Sequence, residues 1–184
     1  MATIEQQPVP KPFIPVFEQA GLHIKTYKSA KSFERDLERF IKRNTVLHLS
    51  MSKDNVARST PLEYRYIESK FYILSAGGAK FDYLKHNRHV AFSVSEPYNS
   101  DEDYWSYKGF QAWGKARIIS RKNHRKEFDE TIGKMRIGKI LKQLGQKELP
   151  DGQNYRIIEL TPERIKYVNP REGIFRVKWK ATPE

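Results

Sequence analysis

Between Ser29 and Asn44 apolar side chains recur at Phe33, Leu37, Phe40 and Ile41, the i, i+4, i+7, i+8 spacing of one helical face. Glu34 and Asp36 lie near its start and Lys42 and Arg43 at its end, signs that complement a helix dipole. The pattern predicts an amphipathic helix covering a sheet. From Thr45 the period falls to two: Leu47, Leu49 and Met51 alternate with His48 and Ser50, and alternation returns over 56–67, 70–76, 89–96 and 109–119. These runs read as five antiparallel strands, with turns at Lys53–Asn55 and near Glu68–Lys70, a short helix before His89, and a polar loop at Asn99–Asp103. Residues 121–146 return to helical spacing with Phe128, Ile132 and Met135 on one face. Gly133 and Gly138 each cost about 1 kcal/mol relative to alanine there, which predicts two short helices or one bent one. After the turn LPDG at 149–152, the segments NYRIIELT, ERIKYV and GIFRVKWK alternate again.

Most of these connections are too short for parallel crossovers. The order therefore predicts a mainly β fold, a closed or half-closed antiparallel barrel with helices at its edges. Ahead of it, prolines at 8, 10, 12 and 15 favour extended backbone and oppose a helix. Residues 1–28 are expected to form an arm on the body or on a partner subunit, with a disordered tail as the alternative, and 29–184 a single domain.

Composition narrows the chemistry. With no cysteine among 184 residues, disulfides, thiolate metal sites and thiol catalysis are excluded. The 34 Lys and Arg against 22 Asp and Glu give a net charge of +12, which favours polyanions, although the charge is dispersed. The N-terminus lacks a basic start followed by an apolar core, and no window approaches the roughly 18 apolar residues of a membrane helix, so a soluble, cytoplasmic protein is expected. His86 and His89 straddle a helix end without a nearby carboxylate, which is no metal-site spacing. Asp101, Glu102 and Asp103 read as a solvated turn, and no Gly-x-Ser-x-Gly elbow marks a hydrolase.

The segment FYILSAGGAKFDYLKHNRHVAFSV, 71–94, carries the candidate chemistry. Gly77 and Gly78 permit backbone conformations in which amides converge, Ser75 supplies a hydroxyl and Lys80 a charge, a set suited to a phosphate. The nucleotide P-loop pattern is absent, and an ordinary hairpin turn accounts for the same residues.

The order of strand NVARSTPLEYRYI, strand KFYILSA, turn GGAK, helix FDYLKHN, strand HVAFSV and then GFQAWGKARII resembles the FMN-binding split-barrel family related to pyridoxamine 5′-phosphate oxidase, over about residues 40–168. The resemblance implies a six- to eight-stranded antiparallel split barrel of Greek-key type. It implies FMN as cofactor, with Ser75 ending a strand beside the phosphate and Lys80 gripping it. Arg58 would reach the phosphate or ribityl chain, and Ser59 and Thr60 the isoalloxazine ring. It further implies a homodimer with FMN across the subunit interface, Gln111 and Trp113 being the contacts from the second copy, and a substrate pocket near Tyr104, Trp105 and Tyr107. Two departures stand out. Arg88 occupies the place of a proline in the family's Asn-Pro-Arg-Val-like strand start, and the C-terminal segment has Arg171, Arg176 and Trp179 but no Arg-Leu-His-type triplet for a pyridoxamine phosphate substrate. The implied activity is an FMN-dependent oxidoreductase acting with a small-molecule substrate or electron donor, its catalytic residues unassigned. The alternatives are haem or a deazaflavin in the same barrel, or a non-catalytic module binding single-stranded nucleic acid through basic and aromatic strand positions.

Overall fold

The computed structural model describes residues 2–182. Helix α2 (Ala30–Arg43) starts where Ser29 accepts a hydrogen bond from the Ser32 amide, and its buried face is the one the spacing predicts, Phe33, Leu37, Phe40 and Ile41. Strands β2 (Val46–Lys53), β3 (Val56–Glu63), β4 (Arg65–Ile67), β5 (Lys70–Ser75), β6 (His89–Ser95) and β7 (Gly109–Ser120) follow, with helix α3 (Lys80–His86) between β5 and β6. Two-residue turns with positive φ at Asp54 and Asn55, and at Glu68 and Ser69, close the β2–β3 and β4–β5 hairpins. Helices α4 (Arg125–Met135) and α5 (Gly138–Gln143) are separated by left-handed Arg136, so the glycine-bearing segment is two helices.

With β1 (Thr3–Gln6), β8 (Arg156–Asn169) and β9 (Ile174–Lys180), the sheet runs β1–β9–β8–β7–β6–β2–β3, with β5 joining β8 and β4 joining β5. All pairings are antiparallel, giving a split barrel. The barrel has nine strands because the arm contributes β1 (Thr3–Gln6) and the three-residue β4 stands apart from β3. Strand β8 (Arg156–Asn169) unites NYRIIELT and ERIKYV in one element; its first half pairs with β5, its second with β9 (Ile174–Lys180), and its other edge with β7. Pro162, which cannot donate to a ladder, sits where the β7–β8 register shifts between Trp113 and Gly114. A Cβ at Gly114 would fall 2.0 Å from the Thr161 carbonyl oxygen, so the missing side chain lets the two backbones meet.

Inside the barrel Phe33, Phe40, Phe71, Phe92, Phe110 and Tyr167 are fully buried, and Phe71 contacts both Phe92 and Phe110. On the other side of β5 and β8, Tyr72, Ile119, Phe128, Met135 and Ile157 make a second core under α4 and α5. No helix among the described residues is long and apolar enough to cross a membrane.

The arm corrects one expectation. Pro12 and Pro15 do not prevent helix; they occupy the first turns of a 3-10 segment (Lys11–Phe13) and of α1 (Ile14–Gln19), where a missing N–H is no loss. The arm lies on its own body, where β1 pairs with β9 and Phe17 stacks on Phe175 with centroids 4.7 Å apart, and it is folded on itself, Gln6 donating to the Lys25 carbonyl while accepting from the Tyr27 amide.

Candidate functional site

Strand β5 ends at Ser75, which lies opposite Arg156 at the start of β8. The chain then turns through Gly77 and Gly78 into α3, whose buried Phe81 and Leu84 fix its orientation. Only Gly78 needs to be glycine for its backbone, with φ +104°; a Cβ on Gly77 would meet nothing within 4 Å. The Ser75 hydroxyl donates to the Gly77 carbonyl at 3.1 Å and the Lys80 ammonium to the same oxygen at 2.5 Å. The turn thus brings the expected hydroxyl and cation to one point.

Two further cations face that point. Burial, then the nearby charges of Arg156 and Arg58, hold the Lys80 ammonium below the usual lysine range. The Arg156 guanidinium carbon lies 3.6 Å from the Phe81 ring centroid, and its Nε is buried without a hydrogen-bond partner. A buried unpaired donor carries a desolvation penalty that an anion would remove. Arg58, Lys80 and Arg156 therefore make a cationic cluster at the Ser75–Lys80 turn, with no carboxylate paired to any of them among the described residues. Arg156 escapes sequence reasoning because its motif neighbours are hydrophobic strand positions; only the β5–β8 register makes it adjacent to Ser75.

The other expected residues divide. In β3, Arg58 and Thr60 pair with buried Met51 and Leu49, whereas Ser59 pairs with Ser50 on the opposite face, their hydroxyl oxygens 3.4 Å apart. The Ser59 and Thr60 side chains consequently point to different sides of the sheet, and what they share is the backbone of a strand at the sheet's end. Gln111 and Trp113 both face outward on β7, between Ser93 and Ala91 of β6 and Lys166 and Arg164 of β8, away from the cationic cluster of their own chain. Arg164 and Lys166 approach the Trp113 ring at 5.5 and 5.4 Å.

The helix-to-strand turn with Arg88 in place of proline is held by Asn87, whose side chain accepts from the His89 amide and donates to Ser52. His86 lies 3.3 Å from Asp54. Asp103 is not simply solvated: it caps the 3-10 turn Tyr104–Ser106 and pairs with Arg171, which ties the polar loop to the C-terminal segment. Tyr107 joins Tyr98, Gln111 and residues of β8 and β9 around a cavity of about 770 Å3 on the outward face, while Trp105 packs on Phe17.

The fold recurs in other proteins. No curated protein sequence matches the chain. Among solved structures it is similar to a candidate pyridoxamine 5′-phosphate oxidase of Listeria innocua, at 17% identity and TM-score 0.57, over 74% of this chain and 98% of that one. An FAD-binding protein of Mesorhizobium loti is similar at 17% identity and TM-score 0.53, over 80% and 94% of the two chains. The haem storage protein HutZ of Vibrio cholerae is similar at 18% identity and TM-score 0.54, over 71% and 89%. These likenesses establish a shared fold. The sequence profile of the pyridoxamine 5′-phosphate oxidase family matches residues 5–167, a span that takes in most of the arm, the cationic turn and most of β8, and by that match the chain belongs to the family.

Proposed function

We propose that this protein is an FMN-binding oxidoreductase that works as a homodimer on a small-molecule substrate. The observation that carries the reading is the partnerless, buried Nε of Arg156 beside Lys80 and Arg58, a donor set lacking its acceptor. A phosphate monoester fits it: two or three anionic oxygens accept charge-assisted hydrogen bonds from both guanidinium groups, the ammonium and the Ser75 hydroxyl. In this reading Lys80 exchanges the Gly77 carbonyl for the phosphate, and the free backbone edge of β3 at Ser59 and Thr60 addresses the flavin ring. Gln111 and Trp113, outward on β7, serve the flavin held by a second copy. Bound flavin supplies hydride or electron transfer at its ring, so the protein's part is to position it, tune it and exclude water.

The test is the visible absorption spectrum of the purified protein, with the released chromophore identified by mass, followed by titration of apo-protein with FMN. A flavin spectrum with an FMN mass, and weaker FMN uptake by Lys80→Ala, supports the reading. A colourless protein that takes up no FMN rejects it and returns the Gly-Gly-Lys turn to an ordinary hairpin.

A further inference from the structure

A second cavity, of about 290 Å3, lies between α5 and the end of β5. Its walls are apolar: Leu74 from β5, Met135 and Ile137 from the junction of α4 and α5, Leu141 from α5, and beyond them Leu149 and Tyr155. Protein interiors leave few voids larger than a water molecule, so an apolar space of this size is more than packing slack.

The far wall is fixed. Strand β5 is paired along β8, with Leu74 opposite Ile157, and the Leu149–Pro150 segment is pinned where Arg121 donates to the Pro150 carbonyl at 3.0 Å and pairs with Asp151 at 3.2 Å. The near wall is held by less. Helix α5 lies between left-handed Arg136 and Gly145, and Leu141 is the one residue it buries. On the solvent side Ile140 is half-buried and Leu144 is 66% exposed, so the rim presents apolar surface to water that an occupant would cover.

The charges at the rim are already matched. Glu63 and Arg65 are the two charged residues of the lining; they pair at 2.7 Å, and Arg65 also donates to the Tyr64 carbonyl at 3.1 Å. Neither is left to attract an ion. Ordered water needs two to four polar partners, whereas an apolar cavity of about 150 Å3 stays dry and takes up benzene. About twice that volume suits a bicyclic ring system, while a partner helix, about 10 Å across with its side chains, does not enter it.

We propose that this cavity binds a small uncharged apolar molecule of bicyclic size, enclosed by Leu74, Ile137 and Leu141 and covered by Ile140 and Leu144. The cavity touches Ser75 but none of Arg58, Lys80 and Arg156, so the inference stands without the flavin reading.

The test is calorimetric titration of the full-length protein with indole, a neutral bicyclic probe. Indole should bind at one site per chain and raise the thermal midpoint. Ile140→Trp and Leu144→Trp bring a bulky ring to the cavity from positions already open to solvent, and each should weaken indole binding by about tenfold or more. Indole-3-carboxylate should fail to displace indole, because it carries a charge that has no partner there. Lys80→Ala, and saturation of the wild type with FMN, should leave indole binding unchanged. No uptake of indole, undiminished uptake in both tryptophan variants, or displacement by indole-3-carboxylate overturns the proposal. Displacement by FMN, or loss of indole binding in Lys80→Ala, also overturns it, by assigning the probe to the flavin site.

Discussion

The Arg156 guanidinium lies 3.6 Å from the centroid of the Phe81 ring, so a strand residue and a helix residue fix each other at the cationic cluster. The ring lies under the guanidinium charge, and Nε stays buried with no acceptor among the described residues. Arg156→Ala should weaken FMN binding by about 1.5–3 kcal/mol, the range for a charged hydrogen bond. Arg156→Lys should fall in between, since an ammonium keeps the charge but loses the planar stack and fork. Titrating both apo-variants checks this, and wild-type affinity in Arg156→Ala would remove Arg156 from the site.

Lys80 predicts a pH dependence. Burial first, and then Arg156 and Arg58, lower its pKa in the free protein, and a bound phosphate would raise it again. FMN affinity should accordingly be level with respect to Lys80 below the free-state pKa. It should fall as pH rises from there toward the bound-state value, beginning below the ordinary lysine pKa of about 10.4. Comparing alkaline titrations of wild type and Lys80→Arg isolates the effect: the arginine variant should lack this alkaline loss.

A second electrostatic prediction concerns stability. Asp36, in the middle of α2, accepts from Lys25, Tyr27 and Arg39, with its side chain only 4% exposed. Burial alone pushes its pKa up, but hydrogen bonds from Lys25 and Tyr27 and the charges of Lys25 and Arg39 together bring it below the usual aspartate range. A depressed folded-state pKa contributes stability that is fully present above the unfolded value of about 3.9 and is lost as pH falls toward and through the folded value. Lys25 and Arg39 are 43% and 65% exposed, so screening limits the gain, and Asp36→Asn should cost about 1–3 kcal/mol at neutral pH. Denaturant melts from pH 7 to pH 3 should show wild type and variant converging at the acid end. A constant gap would contradict the assignment.

Gly114→Ala should be among the more damaging single substitutions in the sheet. Its Cβ would lie 2.0 Å from the Thr161 oxygen and 2.9 Å from the Pro162 Cα, both backbone atoms that cannot swing aside. About 2–4 kcal/mol of destabilisation is expected, as for overpacking against fixed structure. Gly77→Ala, facing open space, is the internal control and should change stability far less.

Much of this architecture is legible in the sequence where the cause is local. The helical stripe through Phe33, Leu37, Phe40 and Ile41 and the alternation of Leu47, Leu49 and Met51 specify both the elements and their buried faces. The place of the Ser75–Lys80 turn is legible too, because the hydrogen bonds that shape it lie within a few residues. What is hidden depends on register. Pro162 looks like a break between two strands until Gly114 is placed opposite it, and Arg156 looks like an ordinary strand residue until β5 is placed beside β8. The two helix-forming prolines of the arm are ambiguous for another reason: the same fixed φ that suits extended chain also suits a first helical turn.

The pairing of Thr3 with Lys180 places the beginning of the first strand against the end of the last. The described chain thus returns, at its far end, to the sheet edge from which it started. A short linker from Thr182 to Ala2 would join the two strands at that edge. The chain could then be opened at the exposed turn Asn99–Glu102, where the backbone bonds are confined to the turn itself, keeping every ladder of the sheet in place. Such a permuted protein would carry the arm as an internal connection, with Gln7 still beside Arg176 and new ends available for tethering.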